Sequence, residues 1–104
     1  MNLRVFRSAE SVLMVEISSP SLESELKWFV PLVERDSEKL QNVNPREQIH
    51  LEFQGKPYSV LFMLIRTIRI EENREGIVGQ LTLEDSINVL NNIFDRLAYD
   101  VAER

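Results

Sequence analysis

Hydrophobic positions along the chain form a series of short, near-alternating segments followed by one long segment of helical period. In the closing stretch, Thr82 to Arg104, Leu83, Ile87, Leu90, Phe94, Leu97 and Val101 recur at alternating steps of four and three. At about 100° per residue they fall in a narrow stripe, which predicts a helix that buries this face. Thr82 is placed to act as N-cap, with Asp85 three residues on as the acidic member of a capping box. Glu84 and Asp85 also suit the positive end of the helix dipole. On the same wheel Tyr99 lies roughly opposite the stripe, on the side of Asn88, Asn92 and Asp95. An aromatic ring is therefore expected to face outward near the end of the helix.

The segments ahead of the helix read as strands. Leu3 to Arg7 and Val12 to Ile17 form an expected hairpin around the turn Ser8 to Ser11, and Ser18 to Ser21 makes a break at Pro20. Leu22 to Lys27 suits a helical turn, whereas Trp28 to Leu32 favours a short strand. Pro31 would cost a helix interior about 3 kcal/mol, so it is assigned to an edge strand or a strand end. Val33 to Leu40 reads as one or two turns of helix or an irregular surface loop, and Gln41 to Glu47 as a loop. Gln48 to Phe53 alternates cleanly and Gln54 to Pro57 supplies a hairpin turn. Tyr58 to Ile70 is one bent strand or two short ones. Glu71 to Gly76 is a charged turn, and Ile77 to Leu81 a final strand into the helix. The fold expected is mainly β within the α+β class: a small antiparallel barrel or curled sheet of about five to seven strands, one side covered by the helix. There is no internal repeat, linker or low-complexity stretch, so residues 1–104 form one domain.

Composition narrows the chemistry. Seventeen acidic residues against twelve basic ones give a net charge of −5, which argues against general affinity for a nucleic-acid backbone and favours a partner with a positive surface. With no cysteine, disulfides and thiolate chemistry are excluded, which fits a cytoplasmic setting. The amino terminus has no apolar run of signal-peptide length, and Val60 to Ile65 is far short of a membrane span.

Catalytic candidates are few. His50 is the only histidine, and its strand phase sets it on the solvent side opposite Ile49, Leu51 and Phe53. A zinc site is not indicated without a second His or a Cys. The carboxylates, such as Glu71-Glu72 and Glu34-Arg35-Asp36, read as solvated faces, and the three glycines make no phosphate loop. Ser18, Ser19, Ser21 and Ser24 lack a glycine elbow or a nearby histidine. Of Trp28 and Phe29, neighbours in a strand, one must face out. Tyr99 is the remaining candidate, as a recognition aromatic. No catalytic residue, cofactor or metal ligand is assigned.

Taken together these segments resemble the CcdB family of gyrase-poisoning toxins from toxin–antitoxin modules, thinly but over nearly the whole length. The similarity runs through Met1-Asn2-Leu3-Arg4-Val5-Phe6, then Val15-Glu16-Ile17-Ser18-Ser19 against the family's V-D-V-Q-S. Phe29-Val30-Pro31-Leu32 matches its V-I-P-L strand, and Arg46 to Leu51 resembles the next hairpin. Ile68-Arg69-Ile70 stands where the family has V-P-V-x-I, without the proline, and Leu83 to Val101 is similar to the C-terminal helix.

The resemblance implies an SH3-like barrel, a homodimer, no enzymatic activity, and a toxin that binds the A subunit of DNA gyrase and traps it on cleaved DNA. It also implies neutralisation by a CcdA-like antitoxin, with no direct contact to nucleic acid or membrane. The family ending W-G-I falls on Tyr99-Asp100-Val101. Asp95 and Ala98 match the contact residues just before it, and Ser21 and Leu22 a contact loop after the second strand. Tyr99 then becomes the stacking wedge, Val101 and Leu22 its apolar support, and Asp95 a polar contact. Three departures stand out: Tyr for Trp, Asp for Gly, and Ala102-Glu103-Arg104 beyond the family's usual end. They favour one alternative, a non-poisoning interaction module that binds an antitoxin; a second is an endoribonuclease on the same barrel similar to MazF toxins, in which Arg66 and Arg69 flank Thr67 and against which the acidic balance counts.

Overall fold

A computed structural model describes residues 1–8, 10–19, 26–69 and 76–102, with the side chains of the terminal helix described as far as residue 97. Seven strands lie along the described chain: β1 (Arg4–Arg7), β2 (Leu13–Glu16), β3 (Leu26–Glu34), β4 (Ile49–Phe53), β5 (Lys56–Val60), β6 (Arg66–Arg69) and β7 (Ile77–Gln80). Short 3-10 turns cover Glu38–Leu40 and Pro45–Glu47, and the helix α1 spans Leu83–Ala102. Pairings among the described strands are all antiparallel, in the order β4-β5-β3-β2-β1-β7, with β6 attached to β3. The fold is a curled sheet with one C-terminal helix, as the alternation predicts, and a small SH3-like α+β architecture, as the resemblance implies.

The turns follow the local chemistry. Gln54 and Gly55 connect β4 to β5 with φ of 51° and 81°, the two left-handed positions of a tight hairpin whose twist matches its strands. Ahead of α1, Thr82 Oγ1 accepts the Asp85 N–H at 3.1 Å, forming the expected N-cap. Residues 58–69 resolve into the two short strands β5 and β6, while Ile70 and the charged turn expected after it fall largely outside the described residues. The helical turn expected from Leu22 also lies mostly outside them. Its last two residues, Leu26 and Lys27, belong to β3, where pairing with β6 overrides their helical preference.

Pro31 departs from expectation. It lies in the middle of β3, an interior strand, opposite Met14 of β2. Its carbonyl accepts the Leu61 N–H at 3.0 Å, so the polar side of this residue faces the β5/β6 edge. On that edge β6 pairs as far as Phe29 and β5 begins at Leu32. Pro31 continues the β5 register opposite Leu61, and its missing N–H forfeits one of the two bonds of that rung; the Leu61 carbonyl accepts the Leu64 N–H at 3.1 Å instead.

Alternation gives the sheet two apolar faces. On the concave side Val5, Val15, Val30, Leu32, Leu51, Phe53 and Val60 form the main core with Leu81, Val89 and Ile93. On the convex side Phe6, Met14 and Phe29 form a second cluster with Ile68 of β6, the Phe6 and Phe29 rings meeting edge-to-face at 5.3 Å. Beside this cluster the Glu16 carboxylate is fully buried and receives both Nε and Nη2 of Arg4, the latter at 2.9 Å to each oxygen. The Arg4 guanidinium also lies 5.3 Å from the Phe6 ring centre.

Curling brings the outermost strands together. Gln54 Nε2 donates to the Val78 carbonyl at 2.9 Å, and a Cβ on Gly79 would stand only 3.0 Å from Cζ of Phe53. Gly79→Ala is therefore expected to destabilise the fold by about 1–2 kcal/mol in urea titration, as overpacking does, with Phe53→Leu in the same chain restoring most of it. Arg4→Met leaves the Glu16 carboxylate buried without its fork of donors. A loss of about 3 kcal/mol is expected, recovered in part by the double replacement Arg4→Met/Glu16→Leu.

Candidate functional site

The seat of α1 is set by contacts at the helix start. Ser86 Oγ donates to the Thr82 carbonyl at 2.7 Å and accepts the Leu3 N–H at 2.9 Å, while Leu81 N–H donates to the Leu3 carbonyl. These bonds fix which face of α1 meets the sheet. Ser86, Val89 and Ile93 are buried there, and Leu90 is half-buried. The expected burial of the whole Leu83–Ile87–Leu90–Phe94–Leu97–Val101 stripe is thus corrected. Leu83, Ile87 and Leu97 are about half exposed and Phe94 is 65% exposed, while Val101 has no described side chain. The helix is turned by about 100°, one residue step, from its expected seat. Its physical cause is steric and polar at once: Ser86 and Val89 are narrow enough for close approach, and Ser86 satisfies a buried N–H of β1's lead-in.

The residues assigned from the resemblance fall into three groups. The α1 backbone is helical through Ala98, Tyr99, Asp100 and Val101, but their side chains, including the expected outward ring, lie outside the described residues. Ser21 and Leu22 lie outside them as well. Asp95, one turn before Tyr99, is exposed and borders a shallow depression of about 210 Å³ with Arg46, Phe62, Asn92 and Arg96. Arg96 Nη2 stands 3.5 Å from Glu47, tying this side of the helix to the Pro45–Glu47 turn. Asn92 Nδ2 donates to the Asn88 carbonyl at 2.8 Å, so the polar face around Asp95 is internally ordered.

Two further clefts adjoin one another elsewhere on the sheet and share Glu34 and Lys56. One, of about 350 Å³, has Leu13, Leu32 and Tyr58 with Arg7 and Lys39 around them, and the other, of about 480 Å³, is bounded by Arg35, Asp36 and Pro57. Their charges are of both signs, which suits a solvated rim better than an anion-binding pocket. His50 is exposed, as its strand phase predicts, and lines neither cleft. On β6, Arg66 and Arg69 are exposed, and strand alternation sets them on opposite faces, with Thr67 on the side of Arg69. Trp28 is 55% exposed while Phe29 is buried, which settles the outward member of that pair.

The exposed repeat is the feature that helix-phase reasoning misplaces. Its signal is present in the spacing: strict steps of four and three mark a narrow helix–helix seam, whereas a helix on a sheet core presents a broader face. In dilute protein, Ile87→Ser and Phe94→Ser are expected to change unfolding free energy by less than about 0.5 kcal/mol. Val89→Ser, on the seated face, is expected to cost at least about 2 kcal/mol by the same urea titration. No protein-family model matches the chain, and no curated protein matches it.

Proposed function

We propose that this protein is a CcdB-like toxin of a toxin–antitoxin module, a cytoplasmic homodimer that binds the A subunit of DNA gyrase and traps its cleaved-DNA complex. The observation that carries the reading is the order of elements. A curled seven-strand sheet precedes a single helix that continues through Tyr99 to Ala102, in the sequence the resemblance implies. In this reading the protein itself performs no bond-making step. Tyr99 supplies the flat ring that wedges into the gyrase–DNA complex, Val101 and Leu22 support it, and Asp95 gives an exposed polar contact on the same helix. Ala98, Asp100 and Ser21 complete the contact surface, and a CcdA-like antitoxin neutralises it.

A second reading, a non-poisoning interaction module, is favoured by the aspartate at position 100 and by the apolar side chains left exposed on α1. Purified protein incubated with gyrase, ATP and supercoiled plasmid distinguishes the two. Linear DNA released by denaturation is expected, at least about tenfold less of it for Tyr99→Ala. Equal trapping by Tyr99→Ala removes the wedge from that residue. No trapping by folded wild type, with antitoxin binding retained, establishes the interaction module instead.

A further inference from the structure

Among the described residues, the large apolar feature left unused by the fold is the stripe on α1. Leu83, Ile87, Phe94 and Leu97 are each about half exposed or more, and Leu90 lies between them half-buried. Apolar side chains spread singly over a surface need no explanation, but five in register along one helix do. The sheet occupies the neighbouring face of the same helix, through Ser86, Val89 and Ile93, and no described element covers the stripe.

We propose that this stripe seats a basic amphipathic helix of a different protein, apolar along Leu83, Ile87, Leu90, Phe94 and Leu97 and cationic opposite Glu84 and Asp95. The inference goes beyond the proposed function, since none of the five stripe residues is among the gyrase contacts assigned there. Spacing calls for a helix: steps of four, three, four and three are the anchors between which a partner helix sets its own side chains. Charge then selects among helices. The open border of the stripe is formed by Glu84 and Asn91, each following a leucine, and by Asn88 and Asp95, following Ile87 and Phe94. Its other border, Ser86 and Ile93, is closed against the sheet. The open border thus carries carboxylates and amides and no cation. Arg96, the one basic residue among the described side chains of α1, lies across the helix, 3.5 Å from Glu47. In helix pairs the residues bordering the seam choose the partner. Lysine or arginine on the incoming helix meets Glu84 and Asp95 favourably, whereas carboxylates there are repelled. A second α1 brings the same acidic border and is disfavoured, as is an anionic lipid surface. The chain's net charge of −5 acts in the same direction at longer range, drawing in a cationic partner.

Only one border is open, so charge contributes from one side of the seam and the pairing is weaker than that of a helical zipper charged on both sides. A Kd on the order of 10–100 μM is expected, weakening with salt as exposed charge pairs do.

Fluorescence anisotropy with two labelled synthetic helices of about three heptads tests the pairing. Both carry a leucine and isoleucine seam, and they differ only in having lysine or glutamate on its borders. The wild-type chain is expected to bind the lysine peptide with that Kd. It is expected to bind the glutamate peptide at least about fivefold more weakly at about 20 mM salt, the gap closing to about twofold at about 500 mM. Ile87→Ser/Phe94→Ser is expected to weaken lysine-peptide binding at least about tenfold, with unchanged circular dichroism. Should that variant misfold, Phe94→Ala replaces it, with weakening of about fivefold expected. Glu84→Lys/Asp95→Lys is expected to invert the preference and bind the glutamate peptide more tightly. Equal binding of the two peptides, or binding of neither up to about 500 μM, overturns the proposal. Lysine-peptide binding retained by the folded serine variant overturns it too, by placing the charge preference on another surface. Wild type that self-associates in sedimentation velocity while the serine variant stays monomeric makes a second copy the occupant, and equally overturns it. Gyrase trapping is scored separately, so its absence removes the toxin reading and leaves the peptide result standing.

Discussion

Everything in the fold hangs on β3 serving two neighbours along one edge. Its first half pairs with β6 and its last residues with β5, while β2 runs along the other side. At the handover Pro31 faces Leu61, accepts its N–H and offers no donor in return, while the Leu61 carbonyl takes the Leu64 N–H as the chain turns from β5 towards β6. Because the handover works, the hairpin β4–β5 curls one way and β6 goes the other. The concave face then closes over Val30 and Leu32, while Phe29 and Ile68 build a separate cluster behind the sheet. The buried Arg4–Glu16 pair lies on that back side, where alternation leaves Glu16 without solvent and its neighbour on β1 supplies the counter-charge.

Much of this is legible in the chain. Alternation from Ile49 to Phe53 carries its own strand assignment, and Gln54-Gly55 carries its turn, because both are local properties. Thr82 likewise announces the helix start. Pro31 defies its assignment for a physical reason: a proline rule treats the strand as having the same neighbours throughout, and the gap between β5 and β6 is visible only once both are placed. For the helix, periodicity gives the extent correctly and the rotation about the axis wrongly. Hydrophobicity alone ranks Leu83 and Phe94 above Ser86, but Ser86 answers the Leu3 N–H from the far end of the sequence. That contact acts together with the burial of Val89 and Ile93 in seating the helix, since an unpaired buried N–H costs about 1–3 kcal/mol. The contact residues assigned from the resemblance are legible only as positions, because most of them lie at the helix end and in the segment after β2, outside the described side chains.

The helix consequently has three distinct surfaces. Small and branched side chains meet the sheet, an asparagine- and acid-rich face carries Asp95, and the 3.5-residue repeat looks away from both. The residues assigned from the resemblance draw on the polar surface and the helix end, whereas the repeat draws on the third. The repeat is therefore sterically separate from the polar face and from the end of α1 over most of the helix.

The bonds joining Leu3 to Leu81 and Ser86 have a temporal meaning as well. They link residues up to 83 positions apart, so β1 can find its second neighbour only after β7 and the first turns of α1 exist. Local hairpins such as β4–β5 are free to form early, but the curl cannot lock until late in the chain. Pairings this distant delay folding, because the closing loop's entropy is lost before its contacts form. During synthesis, β1 and β2 wait with one strand edge open, and the concave apolar face stays uncovered until the helix arrives.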